Sequence, residues 1–412
     1  MSRLPQLIRG AAAGVVLLAS IAACEPEVDI VRPPPPTGGG KFARYVSLGN
    51  SLTAGFQSAG INATTQSVAY PVLIAAAVGT PFRIPELALP GCPPPIVNFL
   101  TLERAGGGTG NSCALRAPGS ITEAINNVAV FGATSLDPTS RSTPASNATT
   151  LLILGGESQV ERALDADPSF VSIWIGNNDA LDAATTGFVV EVAGIARGIT
   201  TQPTFEGNYD AMLSALTAGA ELEGGLLIGV LNVTLAPLLV PAAALVTDAQ
   251  FKSAFDQLAG TATTLLPSCS AATTSLIALT IVDRIRAGTH PPTIGCEPEP
   301  DPLAPVGDVF VVDAMEQQTI ADAVAGYNAY IAARAEALGF AYLDPNPLLA
   351  SLRQGGQISP VPNLTSATAP FGDYISLDGV HPSAKGQAVI ANAAIDAINQ
   401  EYGLSIPDVP IP

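Results

Sequence analysis

Short apolar runs recur along this chain at wide spacing. Several of them lack the alternation of polar and apolar residues that marks a strand with one solvated face, so they are typical of strands buried on both faces. Sheets made of such strands are covered by helices on both sides. The runs predict five strands, at Tyr45–Leu48, Val128–Phe131, Val171–Ile175, Leu226–Val233 and Phe340–Leu343.

Helical periodicity lies between and after these runs. One stretch places apolar residues at i, i+4, i+7 and i+11, and Gly339 ends it just before the last predicted strand. A second stretch repeats that spacing and is followed by Gly403. Strands that alternate with helices predict an α/β fold, in which a parallel sheet lies between two helical layers. The periodic residues are Ile320, Val324, Tyr327 and Ile331 in the first stretch, and Ala391, Ile395, Ile398 and Tyr402 in the second.

Composition narrows the classes of function. The 412 residues include 48 % hydrophobic and only 13 % charged residues, which is ample for the core of one large domain or two. The formal net charge is −18. Nucleic acids select basic surfaces, so this charge argues against a nucleic-acid-binding protein. It also disfavours electrostatic docking on anionic lipid.

The N-terminal 23 residues have the build of a secretory signal. A basic start with Arg3 and Arg9 precedes an apolar run at 11–22, which is too short to span a bilayer. The run ends in Ile-Ala-Ala-Cys24, which resembles the bacterial lipobox and implies lipidation of Cys24 after cleavage. An ordinary signal peptide with a chance cysteine is the alternative. Residues 24–41, with Pro33 to Pro36 and three glycines, predict a tether between anchor and fold.

Two long segments carry the other four cysteines. Pro85–Gly119 is rich in proline and glycine, and 241–307 contains two apolar stretches that predict a small helical insertion near the active-site face. An even number of cysteines in an exported chain favours disulfides, with three possible pairings. We favour Cys92–Cys113 and Cys269–Cys296, because each pair encloses one such segment. The cysteine spacings and the scarcity of histidine argue against a metal site.

Candidate chemistry lies at two distant points of the sequence. Ser51 follows the first predicted strand, at the edge of the sheet where open α/β folds bind ligands. Asp378 precedes His381 by three residues, and a histidine beside a carboxylate can activate a serine as a nucleophile. Asp373 and Asp344 are alternative carboxylates. A purely structural interpretation makes His381 a helix-entry residue before a cap at Ser383.

Two further segments complete a family pattern. A strand-like run ends at Gly132, and another ends in Gly176-Asn-Asn178-Asp179. With the Ser51 turn before them and Asp378-Gly-Val-His381-Pro after them, these blocks resemble the SGNH (GDSL-type) hydrolase family in order and identity. Asn50 departs from that family, where aspartate is commoner before the serine.

The resemblance implies a three-layer, flavodoxin-like fold with a five-stranded parallel sheet. It also implies an oxyanion hole formed by the N–H groups of Ser51 and Gly132 and the side-chain amide of Asn178. The hydrolase domain is expected at 42–403, with the disulfide-bearing insertion at about 241–307 and a tail at 404–412. His290, inside the insertion, is interpreted as a structural or surface residue without a catalytic role.

Together these observations predict an exported, lipid-anchored serine esterase or lipase of the cell envelope. It is expected to act on small-molecule or lipid esters as a monomer, without metal or organic cofactor, and to bind the membrane through its anchor. An O-acetyl esterase acting on envelope glycans is the enzymatic alternative. A non-catalytic envelope lipoprotein that binds ligands is the alternative from another class.

Overall fold

The computed structural model describes residues 40–113, 116, 124–141, 148–192, 198–296 and 310–412. The strands are β1 (Tyr45–Gly49), β2 (Ile96–Asn98), β3 (Glu103–Arg104), β4 (Phe170–Trp174), β5 (Glu191–Val192), β6 (Ile199–Thr200), β7 (Gly224–Ile228), β8 (Leu239–Pro241), β9 (Thr264–Leu265), β10 (Leu276–Ala278), β11 (Thr293–Ile294), β12 (Val311–Val312) and β13 (Ala341–Leu343).

The α-helices connect and cover these strands. They are α1 (Ser51–Ala54), α2 (Ala63–Ser67), α3 (Tyr70–Val78), α4 (Ala148–Leu154), α5 (Gln159–Asp165), α6 (Asn178–Thr186), α7 (Gln202–Gly219), α8 (Ala242–Thr247), α9 (Ala249–Ala259), α10 (Thr280–Arg286), α11 (Ala314–Leu338), α12 (Asn346–Gln354) and α13 (Ala384–Tyr402).

The central sheet is parallel, with the strand order β1-β4-β7-β13. Every residue of β1, β4 and β7 is buried, as expected for a sheet covered on both faces. Successive residues of one strand point to opposite faces of the sheet and so pack in different cores. In β4, Val171 and Ile173 pack in the core that α5, α6, α7 and α11 cover, whereas Phe170 and Trp174 pack in the core under α3 and α13. This three-layer arrangement confirms the predicted α/β class.

The sheet has four strands where five were predicted, because the run at 128–131 does not form a strand. Its chain nevertheless lies beside β1. Ser47 N donates to Asn126 O at 2.7 Å, and Val128 N donates to Ser47 O at 2.9 Å. Only one parallel bridge results, between Ser47 and Asn127, before the chain turns at Gly132. Pairing therefore ends after a few hydrogen bonds, and the segment occupies the position of an edge strand.

The strand predicted at 226–233 is shorter, because its second half finds side-chain partners. Val230 N donates to Asn328 Oδ1 at 2.6 Å, and Asn328 Nδ2 donates to Val230 O at 2.8 Å. An amide of α11 therefore satisfies the backbone that another strand would pair. The chain continues as a loop with a 3₁₀ turn at Val233–Leu235.

Both predicted helices form. Ile320, Val324, Tyr327 and Ile331 are all buried on α11, and Gly339 ends it in the left-handed conformation with φ of 62°. Ala391, Ile395 and Ile398 are buried on α13, which Gly403 ends in the same way.

The insertion is helical in part, and also contains strands. Helices α8, α9 and α10 lie in it, but β10 pairs antiparallel with β8 on one side and β12 on the other. Its residues 297–307 lie outside the described residues. The structure contains both favoured disulfides, Cys92–Cys113 and Cys269–Cys296.

The predicted signal, Cys24 and all but the last two residues of the predicted tether lie outside the described residues. Within the described ranges, no helix combines the length and the apolar character needed to cross a membrane.

Candidate active site

The turn after β1 sets the position of Ser51. Gly49 has φ of 157°, and a Cβ there would lie 2.6 Å from Trp174 O, so this close approach requires glycine. Asn50 caps the short helix α1, because its Oδ1 accepts a hydrogen bond from Leu52 N at 3.0 Å. Ser51 is then the first helical residue at the carboxyl end of β1. Its side chain lies in the interior of the site, and the residue is 8 % exposed.

His381 connects Ser51 to a carboxylate. His381 Nε2 lies 2.8 Å from Ser51 Oγ, and His381 Nδ1 lies 2.9 Å from Asp378 Oδ2. The loop that carries both residues precedes α13, which Ser383 caps as its side chain accepts from Gly386 N. The structure thus brings together three residues that lie up to 330 positions apart in sequence.

Four hydrogen bonds hold the Asp378 carboxylate. Besides His381 Nδ1, its donors are the N–H groups of Ala59, Val380 and His381, at 2.7, 2.9 and 2.8 Å. Burial alone would raise the pKa of Asp378. The opposite charge of His381 and these hydrogen bonds together outweigh burial and lower that pKa to about 2. Asp378 is therefore ionised throughout the neutral range.

The alternative side chains have other partners. Asp344 Oδ1 accepts from Asn346 N at the start of α12, and the Asp373 carboxylate faces Lys385 at 3.8 Å. His290 lies in the insertion, where its ring packs against Phe310 with centroids 5.9 Å apart. Of the predicted carboxylates, Asp378 is the one that contacts His381.

Gly132 and Asn178 lie on neighbouring segments. Asn178 begins α6 directly after β4, and its Nδ2 donates to Ala133 O at 2.8 Å. Gly132 has φ of 81°, a conformation that favours glycine, and a Cβ there would meet no atom within 4 Å. Within the described part of the chain, no hydrogen bond uses the N–H of Ser51 or Gly132.

Asp179, in contrast, connects two segments of the site. It accepts hydrogen bonds from Ser135 N at 2.8 Å and Ser135 Oγ at 2.6 Å, and Asn208 Nδ2 donates to the same hydroxyl. Burial of Asp179 exceeds the effect of these bonds and raises its pKa to about 6. Asp179 belongs to a motif that the sequence singled out, whereas the sequence gave no signal for Ser135 or Asn208.

Gln159 is a further supporting residue that the sequence did not indicate. Its Oε1 accepts from Gly49 N at 2.8 Å, and so fixes the turn that presents Ser51.

The site opens into a cavity of about 100 Å³ beside Ser51 and His381, lined chiefly by aliphatic side chains.

Ser51, His381 and Asp378 meet at the carboxyl edge of a parallel α/β sheet, an arrangement typical of α/β hydrolases. The chain belongs to the family described as GDSL-like Lipase/Acylhydrolase, whose model matches residues 45–394. This confirms the family resemblance seen in the sequence blocks, and membership supports hydrolysis of ester bonds. No curated protein matches the chain.

Similar solved structures include three enzymes. An extracellular lipase from Streptomyces rimosus is 16 % identical, with 86 % of this chain and 98 % of that chain covered and a TM-score of 0.37. An acetyl-xylooligosaccharide esterase from Geobacillus Stearmophilus is 11 % identical, with coverage of 88 % and 94 % and a TM-score of 0.35. A family two carbohydrate esterase from Clostridium thermocellum is 12 % identical, with coverage of 74 % and 66 % and a TM-score of 0.25.

Proposed function

We propose that this protein is a serine esterase that hydrolyses carboxylic esters through a covalent acyl-enzyme. The observation that carries the proposal is the unbroken hydrogen-bonded series Ser51 Oγ, His381 Nε2, His381 Nδ1 and Asp378 Oδ2. Membership of the acylhydrolase family supports the same chemistry. The order of residues is nucleophile, general base and orienting carboxylate.

In the first half of the reaction, Ser51 Oγ attacks the ester carbonyl carbon while its proton moves to His381 Nε2. The carbonyl oxygen becomes an oxyanion, for which the Ser51 and Gly132 N–H groups and Asn178 Nδ2 are the proposed donors. When the tetrahedral intermediate collapses, the bond to the alcohol oxygen breaks and His381 protonates that oxygen. Water then repeats the sequence on the acyl-enzyme and releases the acid.

Asp378 has two tasks in this scheme. Its carboxylate fixes the tautomer in which Nδ1 carries the proton and Nε2 is free to accept one. Its charge also stabilises the imidazolium that forms. With a pKa of about 2, the carboxylate performs both tasks at any pH where the histidine can act as a base.

Covalent labelling tests this proposal. A fluorophosphonate probe is expected to label the purified wild type and to release its leaving group once per chain. Ser51→Ala is expected to lose both the label and p-nitrophenyl acetate hydrolysis while keeping the wild-type circular dichroism spectrum. Ser67→Ala, on helix α2, is the matched control and is expected to retain both. Labelling that survives in Ser51→Ala would place the nucleophile elsewhere.

The proposal includes a location. Two disulfides suit an exported protein, since they form and persist in oxidising compartments. Cys24 closes an apolar run and precedes a Pro/Gly-rich stretch, which supports a lipid anchor joined to a domain at 42–403. The protein is proposed to work as a monomer held at an envelope membrane.

A further inference from the structure

The cavity beside Ser51 has three walls. One is helix α12, the second is the start of α13, and the third is the loop at 231–237. Each wall contributes aliphatic side chains to the cavity lining, and most of them are only partly buried. A contiguous apolar surface that stays partly open marks a place where an apolar ligand can bind.

Helix α12 shows this most clearly. All of it is described, and none of its side chains is buried. Leu348 and Leu352 are one helical turn apart and both line the cavity, together with Leu349. Ser351 and Gln354 lie on the exposed side of the same helix. The helix is therefore amphipathic, and its apolar face borders empty space instead of the core.

The facing wall repeats the pattern on α13. Ala388 and Ala391 are buried against the sheet, whereas Val389 and Ile390 are only partly buried and line the cavity. Leu231 and Ala236 extend the same lining from the loop. Leucine, isoleucine, valine and alanine side chains thus surround one space from three directions.

Hydrogen bonds fix α12 to the loop at both ends. Asn232 N donates to Asn346 Oδ1 at 2.7 Å at the start of the helix. Near its end, Arg353 donates to Leu235 O at 2.8 Å. These two hydrogen bonds position the apolar wall of α12 against the loop.

Polar side chains also line the cavity. Among the described lining residues, the polar side chains other than Trp174 are Ser51, Asn177, Asn178, Asn232, Tyr374 and His381. Asn177 Oδ1 accepts from Leu231 N and Asn232 Oδ1 accepts from Thr234, whereas Asn177 Nδ2 has no hydrogen-bond partner among the described residues. A substrate whose ester lies at Ser51 and whose remainder is aliphatic matches the larger part of this lining.

We infer that this cavity binds the acyl chain of the substrate, and that the enzyme selects fatty acyl esters of medium length over acetyl esters. The inference rests on the proposed function and deepens it. An acetyl group would leave the aliphatic walls unfilled. A glycan would lose the hydration of its hydroxyl groups without gaining partners from leucine and valine. Each added methylene that enters the cavity is expected to raise kcat/KM by roughly fourfold until the space is full.

Kinetics with p-nitrophenyl acetate, butyrate, hexanoate and octanoate test the selectivity. For the wild type, the octanoate-to-acetate ratio of kcat/KM is expected to exceed tenfold. Leu352→Trp fills the cavity and is expected to lower that ratio at least tenfold. Ser351→Trp places the same residue on the exposed face of the same helix and is expected to leave the ratio unchanged. A ratio near one in the wild type, or equal ratios in the two variants, overturns the inference.

Binding provides a test that needs no turnover. Trp174 is the sole tryptophan of the chain, is fully buried and lies at the cavity wall. In Ser51→Ala, a bromine-substituted dodecanoic acid is expected to quench Trp174 fluorescence with a saturable dependence on concentration. Sodium bromide at the same concentration is the control for quenching from solution. Quenching that never saturates, or that bromide reproduces, excludes a chain in the cavity.

The two proposals fail in different ways. If acetyl esters are hydrolysed and Ser51 is labelled, but longer chains bring no gain and no saturable quenching, only the acyl-chain inference is wrong. If no ester is hydrolysed and no fluorophosphonate label forms, the proposed esterase is wrong. Saturable quenching in that case would show an apolar-ligand site without catalysis and would overturn the inference as stated.

Discussion

Asp179 accepts two hydrogen bonds from Ser135, one from its backbone N–H at 2.8 Å and one from its hydroxyl at 2.6 Å. This pair joins the segment of Gly132 to the segment of Asn178. Two of the three proposed oxyanion donors, the Gly132 N–H and Asn178 Nδ2, lie on these two segments, so the distance between those two donors depends on the buried Asp179 carboxylate. Because the Asp179 carboxylate is both ionisable and buried, its contribution to the stability of the folded protein depends on pH.

Asp179→Asn is expected to change the pH dependence of stability. The folded-state pKa of about 6 lies above the usual 3.8, so the folded protein binds this proton more tightly than the unfolded chain does. Ionisation of Asp179 therefore destabilises the folded protein as the pH rises from about 4 to about 6. The loss in free energy of unfolding is on the order of 3 kcal/mol. Denaturant unfolding at several pH values measures it.

The informative quantity is the difference between wild type and variant. The free energy of unfolding of the wild type, relative to Asp179→Asn, is expected to fall between pH 4 and pH 6 and then stay level. Asp165→Asn, which changes a partly exposed carboxylate of α5, serves as the control. A difference that does not vary with pH would show that Asp179 stays ionised when folded.

Asn178→Ala is expected to lower kcat by roughly 10²–10³-fold, the usual cost of removing one oxyanion donor. KM should change little, because the amide stabilises the transition state more than the bound ester. Steady-state kinetics on a p-nitrophenyl ester separate the two parameters. Asn392→Ala removes an amide of α13 that bonds to the Val409 backbone in the C-terminal tail, and should leave kcat unchanged. An effect on KM alone would assign Asn178 to substrate binding.

Asp378→Asn is expected to lower kcat by roughly 10³–10⁴-fold, because an amide no longer holds the required histidine tautomer. Asp373→Asn, in the same loop, is the matched control and should keep near-wild-type turnover. If Asp373→Asn is the inactive variant, the carboxylate has been assigned wrongly.

The same substitution has a consequence for acid stability. Because the pKa of Asp378 is lowered to about 2, its contribution is fully present above about pH 4 and is lost as pH falls through 2. The stabilisation is on the order of 2 kcal/mol. The wild type is expected to lose that advantage over Asp378→Asn between pH 4 and pH 2. A constant difference across that window would contradict the lowered pKa.

The sequence predicted the parts of this fold that local patterns encode. Apolar periodicity located α11 and α13, and uninterrupted apolar runs located β1, β4 and β7. The motif order also selected the residues that meet at the site. The apolar-run criterion failed at 128–131, because a strand requires a partner along its whole length and this segment turns away at Gly132. It failed again at Val230, where one asparagine of α11 replaces a neighbouring strand.

Contacts between distant segments were beyond the sequence. The Ala59 N–H group that bonds Asp378 lies 319 residues from it and has no side-chain signature. Ser135 and Gln159 likewise act through hydrogen bonds to distant partners, two from Ser135 to Asp179 and one to Gln159 from Gly49 N. The leucines of α12 were not singled out, and an apolar helix face alone does not reveal whether it borders a core or an open cavity. Burial in the folded protein makes that distinction.

Cys24→Ser is expected to convert a membrane-fraction protein into a soluble one with unchanged specific activity. Stable lipid anchoring requires more than one acyl chain, and lipoprotein processing would attach those chains at this cysteine. The Pro/Gly-rich stretch after Cys24 should keep the anchor and the domain independent, so loss of the lipid should not affect ester hydrolysis. Radiolabelled palmitate incorporation and membrane fractionation measure the two effects together. Cys92→Ser removes a disulfide cysteine instead, and should keep the label while it lowers stability. If the wild type takes up no palmitate, Cys24 belongs to an ordinary signal sequence and the protein is released after export.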